Sequence, residues 1–184
     1  LSFESRRAKE IETLITTFGG RAVVAPAMRE VPLESDAPTL AFASAVMRGE
    51  FDAVIFLTGV GARALVEAVA RAGLRDTFLG ALRRTRVILR GPKPAAVMRD
   101  LGVPVWVNAP EPNTWREVVA ELDARRAEWD LSGKGVVVQE YGVSNTELLD
   151  ALRERGARVT AIPTYQWAMP EDVAPLADAA ARLA

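Results

Sequence analysis

Apolar and polar positions fall into blocks of two kinds along this chain. Val54-Ile55-Phe56-Leu57 is an apolar run without polar alternation, the pattern of a strand buried on both faces, as in a parallel sheet. Thr58-Gly59-Val60-Gly61 then turns the chain, and Leu65, Val66, Val69 and Ala72 recur at helical spacing over 62–72. Strand, Gly-rich turn and amphipathic helix make half of a β-α-β unit. The same alternation runs through the rest. Residues 1–4 read as the tail of a strand, and Ser5 is placed to cap a helix that carries Ala8, Ile11, Leu14, Ile15 and Phe18 on one face and stops at Gly19-Gly20. Further strands are predicted over 22–25, 85–89, 103–107, 135–139 and 159–162. Further helices are predicted from Asp36 and Pro38 to about Arg48, and through Met98 after the turn Arg90-Gly91-Pro92-Lys93-Pro94. A capping box, Thr114-Trp115-Arg116-Glu117, opens another, and a second box, Ser144-Asn145-Thr146-Glu147, the next. Pro170-Glu171-Asp172 starts the last helix. Strands alternating with helices predict a doubly wound α/β architecture.

Two extended, proline-containing crossings, 28–35 and 163–170, interrupt this order. Two crossings are what an inserted domain needs: the chain leaves the first domain, builds the second and returns. The expected division is a first, discontinuous domain over 1–35 and 165–184 and an inserted second domain over 36–164. The chain opens in mid-strand on Leu1-Ser2-Phe3 and ends in a helix-like stretch over 177–184. It therefore reads as a piece of a longer protein whose first domain is incomplete here.

Composition narrows the chemistry. The 184 residues are 49% hydrophobic and 26% charged, as in ordinary globular domains. Lys and Arg number 23 and Asp and Glu 24, a net charge of −1, so no broad basic field favours nucleic acid and no polybasic run favours a membrane. There is no Cys and no His. That removes thiol catalysis, disulfides, Ser-His and Cys-His arrangements and nearly all zinc sites. The missing Cys fits a reducing compartment. No run reaches transmembrane length and no signal peptide is present, so the expected location is cytoplasmic.

In open parallel sheets, ligands bind outside the carboxyl ends of the strands. Over 36–164 that edge collects Thr58-Gly59-Val60-Gly61, Gly91-Pro92-Lys93, Asn113-Thr114 and Glu140-Tyr141-Gly142 with Asn145. It offers N–H groups at helix starts, hydroxyls, one Lys and a phenol, a rim suited to carboxylates or phosphates. The same residues also read as plain structure. Thr114 and Ser144 serve as caps, and Gly59, Gly61 and Gly142 serve either tight turns or a close approach of backbone to ligand. Glu140, just past a strand, is less easily assigned to structure. Tyr165, near the return crossing, could pack between domains or present its hydroxyl as a weak acid to an interdomain cleft. Arg6 and Arg7 read as solvated, and Trp115, Trp129 and Trp167 as packing.

A succession of motifs resembles bacterial uroporphyrinogen-III synthase. It comprises Glu4-Ser5-Arg6-Arg7, Val24-Ala25-Pro26-Ala27-Met28-Arg29-Glu30-Val31-Pro32, Phe56-Leu57-Thr58-Gly59-Val60-Gly61, Arg90-Gly91-Pro92-Lys93, Ala109-Pro110-Glu111-Pro112-Asn113-Thr114-Trp115, Gln139-Glu140-Tyr141-Gly142 and Glu154-Arg155-Gly156-Ala157 before Val159. The resemblance covers nearly all of the chain in the family's order. It implies two flavodoxin-like α/β domains joined by a two-stranded extended linker, the second inserted into the first. It also implies a hydro-lyase that cyclises hydroxymethylbilane to uroporphyrinogen III, with loss of water and inversion of the last pyrrole ring. No metal or organic cofactor is implied. Hydroxymethylbilane synthase is implied as a transient supplier, and the state is monomeric. Tyr165 stands where the family has a Tyr at the domain junction. The substrate's eight carboxylates suit the rim, so Thr58 to Gly61, Gly91 to Lys93, Asn113, Thr114, Glu140, Tyr141, Gly142 and Asn145 are its expected contacts. The alternative is a non-catalytic regulatory module of the same fold that binds a tetrapyrrole or small anion. A phospho-receiver lacks its acceptor Asp at the strand ends, where Thr58 and Gly91 stand. The Thr58–Gly61 turn leaves a flavin-binding domain open.

Overall fold

The computed structural model describes residues 2–3, 7–31, 36–140, 142 and 144–182. Ser5, expected to cap the first helix, and Tyr141, expected on the rim, lie outside the described residues. In chain order the elements are α1 (Ala8–Thr17), β1 (Arg29–Val31), α2 (Ala37–Met47), β2 (Ala53–Phe56), α3 (Gly59–Arg71), α4 (Arg75–Leu82), β3 (Arg86–Leu89), α5 (Pro92–Asp100), β4 (Val107–Asn108), α6 (Trp115–Ala124), β5 (Gly135–Glu140), α7 (Thr146–Glu154), β6 (Arg158–Pro163), β7 (Gln166–Ala168) and α8 (Ala174–Ala181). The chain divides into two compact units, Leu1–Val31 with Gln166–Ala184, and Pro32–Tyr165.

In the Pro32–Tyr165 unit, β2 to β6 form one five-stranded parallel sheet in the order β4-β3-β2-β5-β6. Alternate side chains of each strand enter opposite layers, as the pleat requires. Val54, Phe56, Val87, Leu89 and Val137 pack with Phe42 and Val46 of α2, Leu65 and Val69 of α3, Phe78 and Leu82 of α4 and Met98 of α5. Ala53, Ile55, Ile88, Val136 and Val138 pack with Val118 and Leu122 of α6, Leu148 and Leu152 of α7 and Trp129. Burial on both faces is why these strands read as continuous apolar runs. Counted within the sheet the order is 3-2-1-4-5, not the 2-1-3-4-5 of flavodoxin. Periodicity locates strands but does not say on which side of its predecessor each one is laid, and that choice fixes the order.

Several elements differ from the sequence reading. The strand predicted over 103–107 shrinks to β4, because the Val103 N–H closes α5 on Met98 O at 2.9 Å and Pro104 has no N–H to give. Helix α4 was not foreseen. It is short, and Gly73, at φ +72°, separates it from α3. The last helix starts at Ala174, after Asp172 accepts the Ala174 N–H at 2.9 Å. No described helix is long and apolar enough to cross a membrane.

In the other unit, Ser2 and Val24 make an isolated parallel bridge where strands were predicted over 1–4 and 22–25. Strands β1 and β7 pair antiparallel, with Glu30 opposite Trp167, and Arg29 reaches Met169 O at 3.1 Å and Glu171 at 2.8 Å. The apolar stripe of α1, expected to face a core, has no buried residue: Leu14 is 58% and Phe18 83% exposed. Amphipathic spacing predicted the helix but not a surface to cover it.

Candidate functional site

Strand order places a switch point between β2 and β5, where successive crossovers leave the sheet in opposite directions. In doubly wound sheets the ligand crevice lies at the carboxyl ends of such a pair. Those ends are Thr58 and the Gln139-Glu140 step.

Thr58 is extended (φ −139°, ψ 147°), and its Oγ1 accepts the Gly61 N–H at 3.0 Å. This cap starts α3 at Gly59, three residues earlier than the sequence reading, so both glycines belong to the first helical turn. The Ala62 N–H bonds Thr58 O at 3.1 Å. The N–H groups of Gly59 and Val60 have no hydrogen-bond partner among the described residues. They stand at the positive end of a 13-residue helix, a donor pair suited to an anion.

The room left by Gly59, Gly61 and Gly91 is taken up by the chain itself. A Cβ on Gly61 would overlap the side-chain amide of Gln139, and one on Gly59 would lie 2.8 Å from Lys93 O. At Gly91 (φ +156°) it would lie 2.6 Å from Asn113 Oδ1. These contacts bring Thr58 to Gly61, Gly91 to Lys93, and Asn113 to one edge.

That edge is uneven in its donors. Pro92 and Pro94 occupy the first turn of α5 and have no N–H, so Lys93 supplies its backbone donor alone while its side chain is exposed. Asn113 adopts φ +60°. The Thr114 N–H and hydroxyl donate to Glu117 Oε2 at 2.8 and 2.6 Å, and Thr114 Oγ1 accepts the Arg116 N–H at 3.2 Å. The predicted capping box is thus present, and its polar groups are engaged within it.

At α7 the structure departs from the expected anion site. Glu140, 7% exposed, accepts from Ser144 Oγ at 2.8 Å and the Asn145 N–H at 3.1 Å, and Asn145 Oδ1 accepts the Leu148 N–H at 3.0 Å. Asn145, not Ser144, is the cap, and the predicted second capping box does not form. Gly142 (φ +58°) donates its N–H to Tyr165 O at 3.5 Å. Tyr165 itself is 4% exposed.

Sequence reasoning missed Gln139 as a site residue. The signal was a lone amide inside an otherwise apolar strand, Gly135-Val136-Val137-Val138-Gln139. Such a residue is buried and must find partners. No group of three or more His, Cys, Asp or Glu among the described residues could hold a metal ion.

The Thr114 hydrogen bonds, hydroxyl first, hold the Glu117 carboxyl below the ordinary range, and Arg155 does the same to Asp123 through bonds of 2.6 and 2.7 Å. A lowered folded-state value adds stability above the unfolded value, and that stability is lost as pH falls through the folded one. Melting temperatures measured from pH 7 to 3 should fall below about pH 4, and Glu117→Gln should flatten that fall. Parallel curves for variant and wild type would contradict the assignment.

With this geometry in hand, comparisons with known proteins converge. A family model described as uroporphyrinogen-III synthase HemD matches residues 9–183. "Uncharacterized protein YjjA" of Bacillus subtilis (strain 168) is 35% identical over 173 residues, which are 91% of this chain and 60% of that protein. A mutant uroporphyrinogen III synthase from the extremely thermophilic bacterium Thermus thermophilus superposes with a TM-score of 0.73 at 23% identity, over 92% of this chain and 62% of that one. A further Thermus thermophilus uroporphyrinogen III synthase structure gives 0.60 at 26% identity, over 98% and 68%. The chain thus spans about 60% of the length of the first two.

Proposed function

The chain belongs to the uroporphyrinogen-III synthase family, and from that premise we propose that the protein carrying it cyclises hydroxymethylbilane to uroporphyrinogen III, with loss of water and inversion of the last pyrrole ring. In this reading residues 36–164 form a domain inserted into one made by 1–35 and 165–184.

The observation that carries the proposal is the donor pair of Gly59 and Val60 at the switch point. The substrate bears eight carboxylates. A helix start with unpartnered N–H groups holds such anions without a counter-charge, and Lys93 N–H adds a neighbouring donor. The bilane loses its hydroxyl readily, so the main task is to hold its two ends in one geometry. Tyr165 is the proposed weak acid that assists the leaving hydroxyl. Thr58, Asn113, Thr114, Glu140 and Asn145 shape the rim in this reading, and Thr58, Thr114, Glu140 and Asn145 are hydrogen-bonded within the chain.

Burial of Tyr165 favours a second reading, a module of this family that binds a tetrapyrrole without transforming it. One assay separates the two. Hydroxymethylbilane left alone closes to the uninverted type I isomer. Supplied with the bilane, the protein carrying this chain is expected to deliver mainly the type III isomer, resolved by chromatography after oxidation. Type I product alone would leave the binding module as the better account.

A further inference from the structure

Gln139 sits at the end of β5, 2% exposed, and both ends of its amide are engaged. Its Oε1 accepts the Thr58 N–H at 3.3 Å, and its Nε2 donates to Glu140 O at 2.6 Å and to Thr164 Oγ1 at 3.0 Å. The Thr164 hydroxyl donates in turn to Glu140 O at 3.3 Å. The partners matter because of where strand pairing stops. The β2–β5 register ends at Phe56 opposite Gln139, and the β5–β6 register ends at Glu140 opposite Pro163. Thr58 and Thr164 both lie past their ladders. One side-chain amide reaches the two of them, on neighbours to either side of β5.

We infer that Gln139 is a positioning residue: its amide, rather than strand pairing, sets where Thr58, and with it the Gly59 and Val60 donors, lies relative to Thr164 and Tyr165. The ligand side of this inference rests on the proposed function; the geometric side does not. The amide supplies a donor and an acceptor from one side chain. A methionine of similar length fills the volume and supplies neither. A glutamate keeps the acceptor toward Thr58 but loses the donor toward Thr164. If Gln139 only filled space, methionine would be an adequate substitute.

The test uses the full chain with Gln139→Met and two readouts. The first is amide hydrogen exchange at Thr58, Gly59 and Val60, followed by NMR. The second is titration with uroporphyrinogen III kept reduced under anaerobic conditions. The expected result is roughly tenfold faster exchange at Thr58, the loss of one hydrogen bond's protection, and an affinity weaker by a similar factor. Unchanged exchange at Thr58 overturns the positioning role whatever the titration shows. Faster exchange with unchanged affinity overturns its part in binding. Faster exchange in a protein whose wild type does not bind uroporphyrinogen III upholds the positioning role and overturns the proposed function instead. If Gln139→Met does not fold, Gln139→Leu, which also lacks both the donor and the acceptor, carries the same readouts and the same criteria.

Discussion

Gly61→Ala is expected to lower the melting temperature by roughly 4–10 °C, although alanine is the better helix former by about 1 kcal/mol. The added methyl would occupy the space of the Gln139 amide. That amide cannot swing away without giving up Thr58, Glu140 O and Thr164. Overpacking of this kind costs about 1–3 kcal/mol beyond the helix gain. Gly80→Ala in α4 is the control, because there a Cβ meets only Arg84 Nη1 at 3.8 Å, and a neutral or slightly stabilising effect is expected. The decisive comparison is a double-mutant cycle with Gln139→Ala, which removes the obstructing atoms. The pair should be more stable than the sum of the single changes by about 0.5–3 kcal/mol. Additive single effects would mean that the collision is relieved elsewhere.

The second large effect is expected in the reaction. Tyr165→Phe keeps the buried ring and deletes one hydroxyl. If that hydroxyl assists departure of water, formation of uroporphyrinogen III should slow roughly ten- to a thousandfold, the range of one general-acid contribution. Spontaneous closure to the type I isomer does not depend on the protein, so the isomer ratio falls with the rate. Circular dichroism and melting of the variant establish that the fold is retained. A severalfold loss or less would assign the rate to positioning alone and remove Tyr165 from the chemistry.

The parallel sheet was legible in the sequence because its central strands, β2, β3 and β5, are buried on both faces. Val54-Ile55-Phe56-Leu57 and Val136-Val137-Val138 could be little else. A helix start was legible at Thr114, where a capping box stood before a helix-forming run, whereas α3 begins at Gly59 on a Thr58 cap that was read as part of a turn. The α7 start was misread because Ser144 and Asn145 are both competent caps, and the choice was made by Glu140, which took the Ser144 hydroxyl. The groups close to Gly59, Gly61 and Gly91, namely Lys93 O, the Gln139 amide and the Asn113 side chain, come from distant parts of the chain. No local pattern carries that information. Gln139 showed only as a polar interruption, and two of its three partners, Thr58 and Thr164, become neighbours through the strand order.

That order also bears on how the sheet is assembled during synthesis. Strand β2 at the centre takes one partner, β3, from the next elements made, but its other partner, β5, lies roughly eighty residues downstream of it. Until Gly135–Glu140 has left the ribosome, β2 presents an open apolar edge with unpaired backbone groups, a template for unwanted pairing. Closing a loop of that length costs about 4 kcal/mol of chain entropy on a logarithmic scale. An element translated well after β2 thus decides whether that edge is closed.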